Sequence, residues 1–492
     1  MLSLWFGTVL TFLTKYTYEY NTIEYIFSQE MIMFIDREKE LAFLEQKWGE
    51  PKAQMIVLWG KRRIGKTELV KQFMKNKSHI YFLAENTNEK EQIKRFSAAL
   101  GEFYEEPLLA TRGFANWEES FQYIKGKNRR FVLVVDEFPY LIQANKGIPS
   151  IIQRIWDEYL SGSPIFLILL GSSVAMMETE VLGLKAPLYG RRTGQWKVQA
   201  LAFNDIKEFR PSKSFEDQIQ HYSVGGGTPA YWLWLSKGDN FFQNLKNHVL
   251  QKGEPLYDEV EFILREELRE PRYYFSLLQA IAQGKRKLSE IVNATGIPQP
   301  TANKYLGVLS DLDIIEREVP VTEDKPLKSK KGLYRIRDEF IQFWFRFVFS
   351  KRSELEMDRA DRVIESIRLE MPNYLSFVYE KVARELVAKN LDLFFNIERL
   401  GRWWDKDDEI DIVGLSHERN AILFGEAKWS RKLVGTDIFE ELKRKAKRVI
   451  WGDTKTTPFY VLFSRKGFTD GMIDLAKKER VVLFCGDEKL GL

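Results

Sequence analysis

The sequence predicts an α/β protein of about three domains, with a parallel sheet toward its N-terminal end and a second, smaller α/β unit toward its C-terminal end. Three observations predict it. At a usual size of ~150 residues per domain, 492 residues with 44% apolar content suffice for a core in each. Three short apolar runs, Met55–Trp59, Phe131–Val135 and Ile165–Leu170, each run directly into a polar loop, as buried parallel strands do. Near the C-terminal end a helix containing Glu380 leads to three strand-like runs, LFFNIERLGRWW, EIDIVGL and AILFGEAKW.

Composition narrows the chemistry. Lys and Arg number 74 against 70 Asp and Glu, a net charge of +4, so no global field draws in nucleic acid or an anionic membrane and any affinity for DNA must be local. One cysteine, Cys485, excludes an internal disulfide and a cysteine-cluster metal site, and four scattered histidines argue against a histidine-rich one. The chain suits a reducing cytosol, and its catalysis falls to carboxylates, lysines, arginines and hydroxyls with a hard cation such as Mg²⁺. Met1–Leu13 is too short to span a membrane and lacks a cationic start. Met31 or Met33 is the expected start, residues 1–30 are an extension of doubtful reality, and a helix is expected to begin at Asp36. No membrane partner is expected.

Met55–Trp59 passes into Gly60, Lys61, Arg62, Arg63, Ile64, Gly65, Lys66, Thr67 and Glu68, which open a helix: strand, G-x-x-x-x-G-K-T, helix. The glycines let backbone N–H groups wrap phosphates at a helix N-terminus. Lys66 reaches the terminal phosphates, and the Thr67 hydroxyl ligates Mg²⁺. Chance would supply the pattern roughly 0.01 to 0.02 times in such a chain. The second phosphate-site element is a buried strand ending in acid, which Asp136 supplies as a holder of the Mg²⁺ shell, with Glu137 as the base for an attacking water. After Leu170, Ser172 offers a hydroxyl that senses the γ-phosphate, or an ordinary loop residue. Arg191 and Arg192 lie on a Gly-flanked loop; they neutralise transition-state charge in cis or from a neighbouring subunit, or form a solvated basic loop. Gly225–Pro229 reads as a helix boundary or hinge.

GKRRIGKTEL, VLVVDEF, LLGSS, LYGRRTG and GGTPAYW, in this order, resemble the archaeal-type ATPases of the AAA+/STAND branch of P-loop NTPases. The resemblance runs from about Phe34 to the end of the chain. It implies an ATPase core at 31–200, a helical lid at 201–270 and ATP as the nucleotide, and it leaves the substrate open. It also implies a homo-oligomer or neighbouring subunit, because sites of this type are commonly completed across an interface by an arginine such as Arg191 or Arg192.

Residues 271–338 read as a winged helix. An apolar helix, a short one, a turn at Gly296–Pro298 and a third helix from Gln299 carry Thr301, Asn303 and Lys304. Two strand-like runs follow, and their connection holds Lys325, Lys328, Lys330 and Lys331. Either phosphate and base contacts to DNA or packing against a protein accounts for this module.

A helical linker at 339–370, including the buried aromatic run Phe340–Phe349, leads to 371–492. A turn centred on Glu418–Arg419 makes cross-strand partners sum to 837, which sets Asp411 opposite Glu426 with Lys428 on the same face. Two carboxylates and a lysine can hold a divalent cation against a phosphodiester, with Glu380 completing the metal shell. The pattern resembles the restriction-endonuclease-like PD-(D/E)xK fold and agrees with the C-terminal domain of unknown function that accompanies this ATPase family. It departs from the motif in having no Pro-Asp pair. A salt-bridged sheet edge or a relic without activity remains an alternative. The basic segment Lys443–Arg448 is placed to track a nucleic-acid backbone.

The expectation is a P-loop NTPase parallel sheet with helical lid, followed by a winged helix and a restriction-endonuclease-like α/β domain. The function expected is that of a cytoplasmic ATP- and Mg²⁺-dependent protein acting on DNA, as an ATP-gated nuclease or as a non-nucleolytic switch.

Overall fold

The computed structural model describes residues 34–491 except 239, 269–270 and 453–455. The expectations for residues 1–30 and for the start at Met31 or Met33 lie outside the described residues. No helix among those described is long and apolar enough to cross a membrane.

Five strands form the first sheet: β1 (Gln54–Trp59), β2 (His79–Leu83), β3 (Val132–Asp136), β4 (Phe166–Gly171) and β5 (Gly194–Lys197). They are all parallel in the order β2-β3-β4-β1-β5. β1, β3 and β4 are buried along their whole length, which is why they read as unbroken apolar runs rather than alternating ones. The carboxyl ends of these strands share one edge. Because β4 lies between β1 and β3, Ser172 falls between the phosphate loop and the acidic pair, at the edge where open α/β sheets bind ligands.

Helix α1 (Lys66–Met74) follows the loop and buries Leu69, Val70, Phe73 and Met74 against the sheet. Gly65 enters it at φ 90°, a conformation open to glycine and costly to most other residues. The segment expected as a lid is a set of short helices ending in α2 (Pro255–Glu267). Gly225–Pro229 is a helix boundary, as predicted, and a Cβ at Gly227 would overlap the Leu201 carbonyl oxygen.

The winged helix contains α3 (Gln299–Asp311) and an antiparallel hairpin, β6 (Ile315–Glu318) and β7 (Leu333–Ile336). Beyond it the aromatic run is helical and buried at Phe340, Phe343, Trp344, Phe345 and Phe347. Helix α4 (Ala360–Lys389) then runs through the boundary expected at 370/371. Pro372 does not break it, because a buried face from Val363 to Val387 continues on both sides, and that burial outweighs the ~3 kcal/mol cost of an interior proline.

The second sheet has the order β13-β12-β11-β10-β9-β8: β8 (Ile397–Asp405), β9 (Asp408–Ser416), β10 (Ala421–Lys428), β11 (Thr457–Ser464), β12 (Val482–Cys485) and β13 (Glu488–Lys489). Its interior pairings β10–β11 and β11–β12 are parallel, and its flanks are antiparallel. One face, through Ile412, Leu423 and Phe463, joins the core that α4 shares with the lid and winged helix. The other packs on α5 (Thr436–Ala446) through Phe439 and Leu442. Leu415 faces Ile422 and Ile412 faces Gly425, the register predicted from the turn.

Candidate functional site

At the carboxyl edge of the first sheet, Thr67 Oγ1 donates to Asp136 Oδ2 at 2.9 Å, and the Tyr81 hydroxyl donates to the same oxygen. A hydroxyl and a carboxylate meeting at the mouth of a phosphate loop are the donor set that suits Mg²⁺. Lys66 Nζ is buried and donates to the carbonyls of Gly60 at 2.9 Å and Lys61 at 2.7 Å. Burial pulls its pKa down to about 8, against the opposing pull of Glu137 and Asp136, so a phosphate anion is a favoured partner. Ile64 is buried, and the Glu68 side chain turns away to pair with Lys71 at 2.9 Å.

Glu137 stands at φ 51°, where the chain turns sharply from β3 into the next helix, and this aims its side chain along the strand ends. Its Oε2 accepts from Ser172 Oγ at 2.7 Å. Glu137, Ser172 and Asp136, the acid that meets Thr67, therefore form one hydrogen-bonded row.

The three basic loop side chains diverge. Lys61 pairs with Asp338 at 3.3 Å, and Arg63 with Glu259 at 3.0 Å, its guanidinium 4.8 Å from the Trp234 ring centre. Arg62 reaches Ser172 Oγ at 3.3 Å, Tyr140 Oη at 3.1 Å and Glu266 at 3.0 Å. Glu259 and Glu266 lie on α2, whose last residue, Glu267, accepts from the N–H groups of Val174 and Ala175, both at 3.2 Å. The acidic face of α2 thus grips both the phosphate loop and the loop after β4.

Arg191 and Arg192 are not part of this arrangement. Thr193 N donates to Met55 O, and β5 pairs in parallel with β1 from Gly194 beside Ile56, so both arginines precede the end of β5 remote from Gly60. About four residues of strand, ~13 Å, separate that level from the phosphate loop. Arg191 pairs with Asp157 at 3.1 Å and Arg192 donates to Leu182 O at 3.1 Å. The in-cis role expected for them is corrected: parallel strand direction carries them to the wrong edge.

In the winged helix α3 buries Ala302, Leu306 and Leu309 and leaves Gln299, Asn303 and Lys304 exposed, with Thr301 half-buried. The wing docks instead on the C-terminal sheet. Val321 N donates to Arg402 O at 2.9 Å, Trp404 Nε1 to Lys331 O at 3.2 Å, and Lys331 Nζ lies 3.3 Å from Asp405. Lys325, Lys328 and Lys330 stay exposed.

On the second sheet, Asp411 and Glu426 are buried on neighbouring strands. Asp411 Oδ2 accepts from Ala427 N at 3.0 Å, and Glu426 Oε1 lies 2.7 Å from Lys428 Nζ and 3.3 Å from Lys445 Nζ. Glu426 Oε2 is buried with no hydrogen-bond partner. Burial, then the charges of Glu380 and Glu426, push the Asp411 carboxyl well above the usual carboxylate range. Glu380 is held by Arg402 at 3.6 Å, and Arg402 also reaches Glu318 of the winged helix at 3.7 Å. Among the described residues no three acidic, histidine or cysteine side chains stand as a ready-made metal cage, and Glu380 is paired with Arg402. The basic segment Lys443–Arg448 at the end of α5 is also largely occupied: Lys443 pairs with Glu479, and Arg444 and Arg448 with Asp408.

Residues 34–233 match the model of an ATPase domain predominantly from Archaea, 274–319 that of an IclR helix-turn-helix domain, and 344–449 that of archaeal and bacterial proteins of unknown function. An uncharacterized protein of Methanocaldococcus jannaschii is 37% identical over 440 residues, 88% of this chain and 96% of that protein. The chain belongs to the family of this protein and carries an ATPase domain of the predominantly archaeal kind. An uncharacterized ATP-binding protein of the same organism is 55% identical over 47 residues, 10% of this chain and 80% of that protein. The Walker-type ATPase of Pyrococcus abyssi has a solved structure that is 23% identical, covering 64% of this chain and 96% of that one, with a TM-score of 0.48.

The family's motifs do not mark every residue that builds the site in this ATPase. Tyr81, Tyr140, Glu266 and Glu267 carry no local signal, since each becomes relevant through packing between elements far apart in sequence. The pairing of Arg402 with Glu318 and Glu380 is hidden for the same reason.

Proposed function

We propose that this ATPase hydrolyses ATP to control a DNA-directed C-terminal domain that cleaves phosphodiesters with a divalent cation. The ATPase half rests on the row Thr67, Asp136, Glu137 and Ser172. Backbone N–H groups of Gly60–Thr67 and Lys66 bind and orient the phosphates, and Glu137 takes a proton from the attacking water. Thr67 and Asp136 would hold Mg²⁺, which would supply neutralisation of phosphate charge. The DNA-directed half rests on the exposed Gln299, Asn303 and Lys304 of α3 and on the free wing lysines.

The observation that carries the nuclease reading is the pair Asp411 and Glu426, with a buried Glu426 oxygen that has no hydrogen-bond partner and an Asp411 carboxyl facing two other acids. A buried carboxylate oxygen without a partner, beside a second acid, suits a divalent cation, which would supply a Lewis acid beside the scissile phosphate. Lys428, on the same face, steadies the negative charge that develops on that phosphate. The sheet's antiparallel β8-β9-β10 unit followed by parallel β11, with α4 against one face, supports a restriction-endonuclease-like domain.

The ion pairs Lys428–Glu426 and Arg402–Glu380 favour a second reading, a switch in which these groups only brace the domain. Plasmid and single-stranded DNA incubated with Mg²⁺ or Mn²⁺, with and without ATP, separate the two. The nuclease reading expects cleavage by the wild type that is lost in Asp411→Ala and Lys428→Ala. Intact ATP turnover with no cleavage by the wild type would leave the bracing role.

A further inference from the structure

We propose that Arg62 is the arginine that stabilises the transition state of ATP hydrolysis in cis, and that Glu266 holds it in reserve. The inference rests on the hydrolytic reading of the Glu137 site. It starts from the divergence of three consecutive basic side chains. Lys61 and Arg63 are fixed to Asp338 and to Glu259 with Trp234, away from the row of strand ends. Arg63 takes φ 63°, which turns successive side chains apart and sends Arg62 the other way.

The Arg62 guanidinium donates to the Ser172 hydroxyl, which in turn donates to Glu137 Oε2, so Arg62 is one side chain from the base. Ser172 and Tyr140 orient its fork on one side. Its anionic partner there is Glu266, a group on the end of α2 that is about half exposed and, among the described residues, pairs with no second cation. A γ-phosphate bound by Lys66 and Thr67 brings two or more negative charges into the same space. Phosphate and carboxylate then compete for one guanidinium, whose planar fork matches either. With Arg191 and Arg192 at the far edge of the sheet, Arg62 is the arginine of this row that can act in cis.

In the step itself, the water oxygen bonds to the γ-phosphorus as the bond from that phosphorus to the β,γ-bridging oxygen breaks. One water proton passes to Glu137, and ADP and inorganic phosphate leave. Arg62 makes and breaks no covalent bond; it meets the charge that gathers on the transferring group and the bridging oxygen.

The test compares wild type, Arg62→Ala, Arg62→Lys and Glu266→Gln in full-length protein. ATP affinity, steady-state turnover and retention of ADP with Mg²⁺ and aluminium fluoride through gel filtration are the readouts. Arg62→Ala should bind ATP within about threefold of wild type while kcat falls about 10²–10³-fold, and it should not retain the aluminium fluoride complex. Arg62→Lys should restore little, since an ammonium lacks the fork. Glu266→Gln should raise kcat severalfold by freeing the guanidinium. Wild-type turnover and a retained complex in Arg62→Ala, or in Arg62→Lys if the alanine variant loses its fold, would overturn the role of Arg62 alone. A wild type that binds ATP and never hydrolyses it would overturn the hydrolytic reading, and this inference with it.

Discussion

Glu137→Gln should bind ATP as tightly as the wild type and hydrolyse it about 10²–10⁴-fold more slowly. The amide keeps the size of the side chain and its ability to accept from Ser172 Oγ, so the row of strand ends stays in place. What it loses is the capacity to take a proton from water. Binding and chemistry therefore separate in this variant, with kcat reduced and nucleotide affinity preserved. Single-turnover hydrolysis of labelled ATP checks it. A rate equal to wild type would remove Glu137 from the role of base and leave it as a partner of Ser172.

Arg402→Ala should destabilise the C-terminal domain by about 3–5 kcal/mol, the usual loss when one member of a buried charge network is removed. Arg402 is 6% exposed and lies between Glu380, Glu409 and Glu318. Glu318 keeps Arg286 and Arg335, whereas Glu380 is left buried beside Glu426 and Asp411 with much of its compensation gone. The exposed Arg419→Ala, which removes a surface pair with Asp324, should stay within about 0.5 kcal/mol of wild type. Urea unfolding followed by tryptophan emission compares the two, with Trp403 and Trp404 reporting next to the altered residue. Equal losses would show that the Arg402 network is not what secures the winged helix against the sheet.

The first site was legible because its chemistry is local. A strand, a glycine loop and a helix lie within twenty residues of one another, and the strand ending in Asp136 announces itself by composition. The Asp411–Glu426 pairing was legible for a related reason: a tight turn fixes antiparallel register, and register alone decides which side chains share a face. Long-range partners were not legible. The loop holding Arg191 and Arg192 has the composition of an arginine finger, but its position depends on the direction in which β5 enters the sheet. The wing lysines read as either DNA or protein contacts, and Lys331 is engaged by Asp405, 74 residues later in the chain. The linker expected at 339–370 shows no break at its end, because the buried face of α4 runs on from Val363 to Val387.

Calorimetric titration of Mg·ATP into the wild type and Lys66→Ala is the most direct test of the central claim, that the edge of the first sheet is a working ATP site. Lys66 is the buried cation of the loop, satisfied here by the Gly60 and Lys61 carbonyls and placed to exchange them for phosphate oxygens. The wild type should bind one nucleotide per chain, and Lys66→Ala should show no measurable heat at the same concentrations. Equal affinity in the two proteins would contradict the account.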